Sequence, residues 1–187
     1  MSAEEYFELV EKLKRIRTSE KAGDSGNTPP SLAFLTSTMQ NETDPERRRM
    51  LYHLYYRECA DLDRDDLAIA LARDEVKEFP GEPVPKTGLA MALARHGDLD
   101  AAAEIAGRAV ADSIQSNRFI NLALLTQIRI AVMNHDYSQV EQSLRSLIAY
   151  RAQPREEDCR LEGEFLADLP SNVLDRRLRA EYEALLK

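Results

Sequence analysis

Asp61-x-Asp63-x-Asp65 places three carboxylates at alternate positions, the spacing that opens a calcium loop. Such a loop continues with glycine and closes on a bidentate glutamate. This chain has Asp66 and Ala72 at those places. The acidic run therefore reads as the start of a helix, where negative charge offsets the positive end of the dipole. His96 and His135 each stand just before an aspartate, Asp98 and Asp136, a pairing suited to acid–base work or metal ligation inside a closed site. No third ligand or nucleophile stands at a telling spacing, so both read as exposed turn residues. His53 is a lone histidine that would make binding depend on pH if it lay on a binding wall. Cys59 and Cys159 are too distant in sequence, and too poorly accompanied, to imply a disulfide framework or a metal site. The glycines form neither a phosphate-cradling loop nor a Gly-x-Ser-x-Gly elbow. No enzyme, cofactor or metal is expected.

Charge narrows the partners further. The chain has 187 residues and a net charge of −8, from 33 acidic and 25 basic side chains. A protein that must lie along a phosphate backbone needs a dominant basic face, so nucleic acid is not an expected partner. Arg47-Arg48-Arg49 and Arg176-Arg177 adjoin acidic residues and read as solvated helix faces. No stretch reaches the ~20 apolar residues of a membrane span. Glu4, Glu5 and Glu8 occupy the places where a leader would be basic and then apolar, so a cytosolic protein is the expectation.

The elements that must carry these residues are helices. Ala, Leu, Glu and Arg dominate, and no run reads as a strand. Ser2 and Glu5 form a capping-box pattern ahead of a stripe of Tyr6, Leu9, Val10, Leu13 and Ile16. Ser19 to Pro30 reads as an exposed, mobile loop. A short helix over Ser31 to Gln40 carries Leu32, Leu35 and Met39, and Asp44-Pro45 opens a long helix reaching about Ala60. Further helices are expected from Asp63–Asp66 to Phe79, from Pro83–Pro85 to His96, over Asp98 to Ser113, over Ser116 to Asn134 and over Asp136 to Tyr150. The breaks are short, so successive helices are antiparallel neighbours. After a polar stretch, Gln153 to Asp158, and a weaker segment around Leu161 to Leu169, a final helix near Ser171 presents Leu174, Leu178, Tyr182 and Leu185. The expected organisation is residues 1–43 as an N-terminal helix, mobile loop and short helix, 44–150 as three helix pairs, and 151–187 as a linker and C-terminal capping helix.

An internal repeat runs through the middle. Ala68, Ala72 and Val76 recur as Ala102, Ala106 and Val110, 34 residues on. The middle copy reads Leu89-Ala90, Leu93, Gly97-Asp98-Leu99, then Ala102, Ala106 and Ala109. This resembles the tetratricopeptide repeat, with its period of ~34 residues, its turn glycine and its small residues where two helices cross. Asp63 replaces that glycine in the first copy and His135 in the third, where Val140 stands 38 residues after Ala102.

The resemblance implies an all-α fold, a right-handed superhelix of antiparallel helix pairs forming a TPR-like α-solenoid, with extra N- and C-terminal helices. It also implies a concave wall made by the first helix of each pair. Carried over position by position, that wall would show Met50, His53 and Arg57, then Thr87, Met91 and Arg95, then Leu125, Arg129 and Val132. The lysines and asparagines with which similar proteins clamp a terminal carboxylate are missing there. Three arginines suit acidic side chains or a carboxylate instead. The leading expectation is a scaffold or adaptor that binds a peptide or helix of a partner protein, with no nucleic acid and no membrane. Self-assembly into a homodimer or a chaperone-like subunit, through either terminal helix, is the alternative. An enzyme with its site in the groove comes third.

Overall fold

The computed structural model describes residues 3–19, 28–151, 163–170 and 173–186. Among them every regular element is helical: α1 (Ala3–Ser19), α2 (Pro30–Asn41), α3 (Pro45–Asp61), α4 (Asp65–Glu78), α5 (Pro83–Arg95), α6 (Leu99–Ser116), α7 (Ile120–Met133), α8 (Tyr137–Arg151) and α9 (Arg176–Leu185), with a 3-10 turn at Glu164–Ala167. Two compact units divide the chain, Met1–Leu71 and Ala72–Lys187, and α4 begins in the first and continues in the second.

In the first unit α2 packs against α3 and α1 against α2. Leu32, Leu35 and Met39 of α2 are all buried, as the short amphipathic stripe requires. Asp44 caps α3 by accepting from the Glu46 and Arg47 N–H groups at 2.9 and 3.5 Å, and Pro45 takes the first helical position, where its lost N–H costs nothing. Ser2 and residues 20–27, which bear on the expected capping box and loop, lie outside the described residues.

In the second unit α5 packs against α6, α6 against α7 and α7 against α8, while α5 also meets α7 directly. First helices thus adjoin in one layer and second helices back them, a repeated helix-pair packing consistent with a helical-repeat architecture. Its seam is made of small side chains. Ala90 on α5 and Ala102, Ala106 and Ala109 on α6 are wholly buried, which lets helix axes approach closely.

The turns repeat as well. Asp63, Gly97 and His135 all adopt the left-handed region, at φ +53°, +92° and +55°. After each, the next N–H reaches back five residues to a helix carbonyl: Arg64 to Cys59 at 2.9 Å, Asp98 to Leu93 at 3.0 Å and Asp136 to Ala131 at 2.8 Å. His96 therefore is not the counterpart of His135. It ends α5 in the right-handed region, as Asn134 ends α7 near that region, and Gly97 is the residue His135 replaces.

Three boundaries differ from the expected ones. The helix expected to stop at Ser113 runs to Ser116, because Ser113 is fully buried and extends the small-residue row by another turn. Asn117 then breaks it at φ +57°, and the next helix begins at Ile120 rather than Ser116. The last helix begins at Arg176, capped by Asp175, rather than near Ser171. Phe165, Leu166 and Leu169 around the 3-10 turn, with Leu174, Leu178 and Tyr182, join the core of α7 and α8. Arg179 donates to the Leu166 carbonyl at 2.8 Å.

Candidate functional site

The nine wall positions implied by the repeat fall into two groups. Met50, His53 and Arg57 lie on α3 of the first unit, and all three side chains are exposed. Arg57 also borders a narrow cleft, about 20 Å³, closed by Val10, Leu13, Lys14 and Arg17 of α1 and by Leu54 and Glu58 of α3. The α3 face that carries Arg57 therefore already has a helical neighbour.

That neighbour is held by charge. Arg17 Nη2 lies 2.8 Å from Glu58 Oε2 and 2.9 Å from Asp61 Oδ2. Glu58 is only 2% exposed, so its carboxylate depends on the guanidinium for compensation. Glu5 adds a second tie, 3.0 Å from Arg47 Nη2. Leu13 is the one α1 residue buried to core level among those described, and Lys12 Nζ sits 4.2 Å from the centre of the Phe34 ring.

In the second unit Thr87, Met91 and Arg95 ride on α5, and Leu125, Arg129 and Val132 on α7, two helices in direct contact. Their exposure differs. Thr87 and Leu125 are buried, and the Thr87 hydroxyl is taken up by the Val84 carbonyl at 2.7 Å. Met91, Arg129 and Val132 are half-buried and Arg95 is exposed. A partner on this layer would meet Arg95 first, with Met91, Arg129 and Val132 behind it, and would reach Thr87 and Leu125 only through side-chain movement.

The other tempting residues are dispersed. Asp61 pairs with Arg17, Asp63 forms a helix–helix turn, and Asp66 receives two hydrogen bonds from Arg64 at 2.9 Å. That guanidinium holds the Asp66 carboxyl down at about 2. His135 Nδ1 lies 3.2 Å from the Tyr137 hydroxyl. Among the described residues no three His, Cys, Asp or Glu side chains converge as metal ligands, and no helix is long and apolar enough to cross a membrane. Cys59 is buried and free, and Cys159 lies outside the described residues.

Sequence reasoning missed two polar features. Lys86 is buried on α5, with Nζ hydrogen-bonded to the Pro80 carbonyl and 2.6 Å from Asp112 Oδ2, so a lysine ties the start of α5 to α6. The second is a cleft between α6 and α8, floored by α7, whose signal was Gln127, which with Thr126 and Arg129 breaks the otherwise apolar stretch Leu122 to Met133. Comparisons of the chain with protein-family models, curated proteins and solved structures found no match.

Proposed function

We propose that the chain is a tetratricopeptide-like interaction module, stacked as a right-handed superhelix, that binds a peptide or helix of a partner protein along its first helices. The observation that carries this reading is the α5–α7 layer backed by α6 and α8, joined within each pair by the same left-handed turn. Recurrent turns and a small-residue seam are what a stack of like helix pairs needs, and a layer of first helices is the surface such stacks offer. Met50, His53 and Arg57 would be the counterparts of that surface on α3 in the first unit, and α9 would serve as the terminal cap of the second. Arg57, Arg95 and Arg129 favour an acidic segment, because guanidinium forks match carboxylates in geometry as well as charge.

Fluorescence anisotropy with labelled acidic amphipathic peptides tests the reading, comparing wild type with an Arg95→Glu/Arg129→Glu variant of equal helicity. Binding should weaken about tenfold or more in the variant and fall as salt rises. Equal binding by both proteins would remove the arginines from the site. A second reading, self-assembly, rests on Phe7, which is 66% exposed on α1. Absence of peptide binding together with a concentration-dependent mass, abolished by Phe7→Ser, would favour it.

A further inference from the structure

The cleft between α6 and α8 lies in the layer of second helices, on residues to which the repeat assigns no binding role. Its volume is about 470 Å³, inside the range of roughly 300–1,000 Å³ typical of ligand sites. Val110 and Ile114 of α6 form one wall, and Ile120 and Leu124 of α7 form the floor. Ile114 is 62% exposed, an aliphatic side chain at the rim with little of its surface covered.

The opposite wall is polar and ordered. Ser143 on α8 is 1% exposed, and its Oγ accepts from Gln139 Nε2 at 2.9 Å while donating to Gln127 Oε1 at 2.8 Å. This chain fixes what is left over. The Gln127 amide nitrogen, which a Cβ at Gly107 would approach to 3.9 Å, keeps its two N–H donors, and Gln139 Oε1 keeps its acceptor capacity. Neither atom has a protein partner among the described residues. The cleft therefore presents a donor and an acceptor beside an aliphatic wall.

Its described lining carries no charge. Side chains of Asp, Glu, Lys and Arg make up 31% of the sequence, yet among the described residues none lines this cleft. An ion seated here would give up hydration without a counter-charge, so the occupant is neutral. The lining also runs along α8 from Gln139 to Tyr150, roughly 16 Å at 1.5 Å per residue. An extended chain of about five residues covers that length, whereas a small rounded molecule would meet only part of it.

We propose that this cleft is a second peptide site, taking an uncharged, extended stretch of a partner polypeptide. A backbone carbonyl of that stretch accepts from Gln127, a backbone N–H donates to Gln139, and an aliphatic or aromatic side chain covers Val110 and Ile114. The site does not depend on the arginine-bearing first helices, and either can fail without the other.

The probes are capped tetrapeptides, acetylated and amidated, with Leu, Val or Phe at the second position and Gly or Ala elsewhere. They are titrated into the full chain and followed by ¹H–¹⁵N NMR. Saturable shifts are expected at the side-chain amides of Gln127 and Gln139 and at the backbone of residues 110–114. Binding should weaken about tenfold in Ile114→Glu, and equally for a tetrapeptide with Glu at the second position, because both bring a charge into the cleft. Ile114 is exposed, so the variant keeps its fold, and its unchanged spectrum elsewhere verifies this. Absence of saturable shifts with the whole panel, shifts confined to α5 and α7, or equal affinity in Ile114→Glu would each overturn the proposal. N-acetyl-leucinamide is the distinguishing arm: if it binds as tightly as the tetrapeptides, the cleft is a small-molecule site and the peptide assignment falls.

Discussion

The first and second units are held by opposite means. In the first, α1 is secured by long charged side chains, with Arg17 reaching the buried Glu58 and the exposed Asp61, and with Leu13 as its core-level anchor among the described residues. In the second, α5, α6 and α7 meet along wholly buried alanines, with the Lys86–Asp112 pair as an added tie at the start of α5. A small-residue seam is intolerant of added volume but indifferent to salt and pH. A charged clasp is the reverse, since Arg17 and Asp61 are exposed enough to be screened and Glu58 depends on Arg17 for compensation. The contrast suits a repeat body that keeps its shape and a terminal helix whose hold can be adjusted.

The largest effect that would break this contrast is a change of volume. Ala106→Leu adds three carbons where no surface is exposed, and should cost roughly 3 kcal/mol, the upper end for overpacking. Ala103→Leu on the exposed face of the same helix should stay within about 0.5 kcal/mol of wild type. Urea denaturation read by circular dichroism compares the two. Equal midpoints would mean that the seam is not close-packed.

Next comes the clasp. Arg17→Ala leaves Glu58 buried and uncompensated, a change costing ~3–5 kcal/mol for a fully enclosed pair. Arg17 is 31% exposed and Asp61 41%, so solvent reduces the expected cost to about 1–2 kcal/mol. The loss should appear as faster amide exchange in residues 3–19 with α5–α8 unaffected. Glu58→Gln in the same background should restore most of it, and failure to do so would assign the anchoring to Leu13 instead.

How much of this was legible from the sequence follows the same divide. Helix starts at Pro45 and Pro83 and the turn at Gly97 could be read directly, because proline and glycine act through their own backbones. The alanine seam was legible as a 34-residue recurrence. The end of α6 was not, since a serine at 113 looks like a terminus until it is found wholly buried. The Arg17–Glu58 clasp joins residues 41 positions apart that carry no pattern, and 31% of the chain is charged. Of the wall positions, sequence spacing placed Thr87 and Leu125 on the right helices but could not reveal their burial, which depends on what packs against them.

A smaller effect tests whether the turns are truly equivalent. Gly97→Ala meets no neighbouring atom within 4 Å, so its cost is purely that of the left-handed backbone, about 1 kcal/mol. His135→Gly removes the same backbone cost from the third turn. It also loosens the unfolded chain, so the net gain should be about 0.5 kcal/mol. Thermal melts of the two variants should shift in opposite directions. Shifts of the same sign would show that His135 contributes through its side chain, beside Tyr137, more than its backbone costs.

The smallest effect concerns pH and separates one charged contact from the seam. The Arg64 guanidinium holds the Asp66 carboxyl at about 2, below the ordinary value of 3.8. A carboxylate with a depressed folded-state value stabilises fully above the unfolded value, and its contribution disappears as pH falls from about 3.8 towards 2. Asp66 is 56% exposed, so the contribution is modest and should shrink further in molar salt. Asp66→Asn should therefore lower the melting temperature slightly at pH 6, and the difference from wild type should vanish near pH 2. A difference that persists at pH 2 would trace to the paired hydrogen bonds from Arg64 rather than to charge, because Arg64 uses both carboxylate oxygens and the asparagine amide offers only one acceptor.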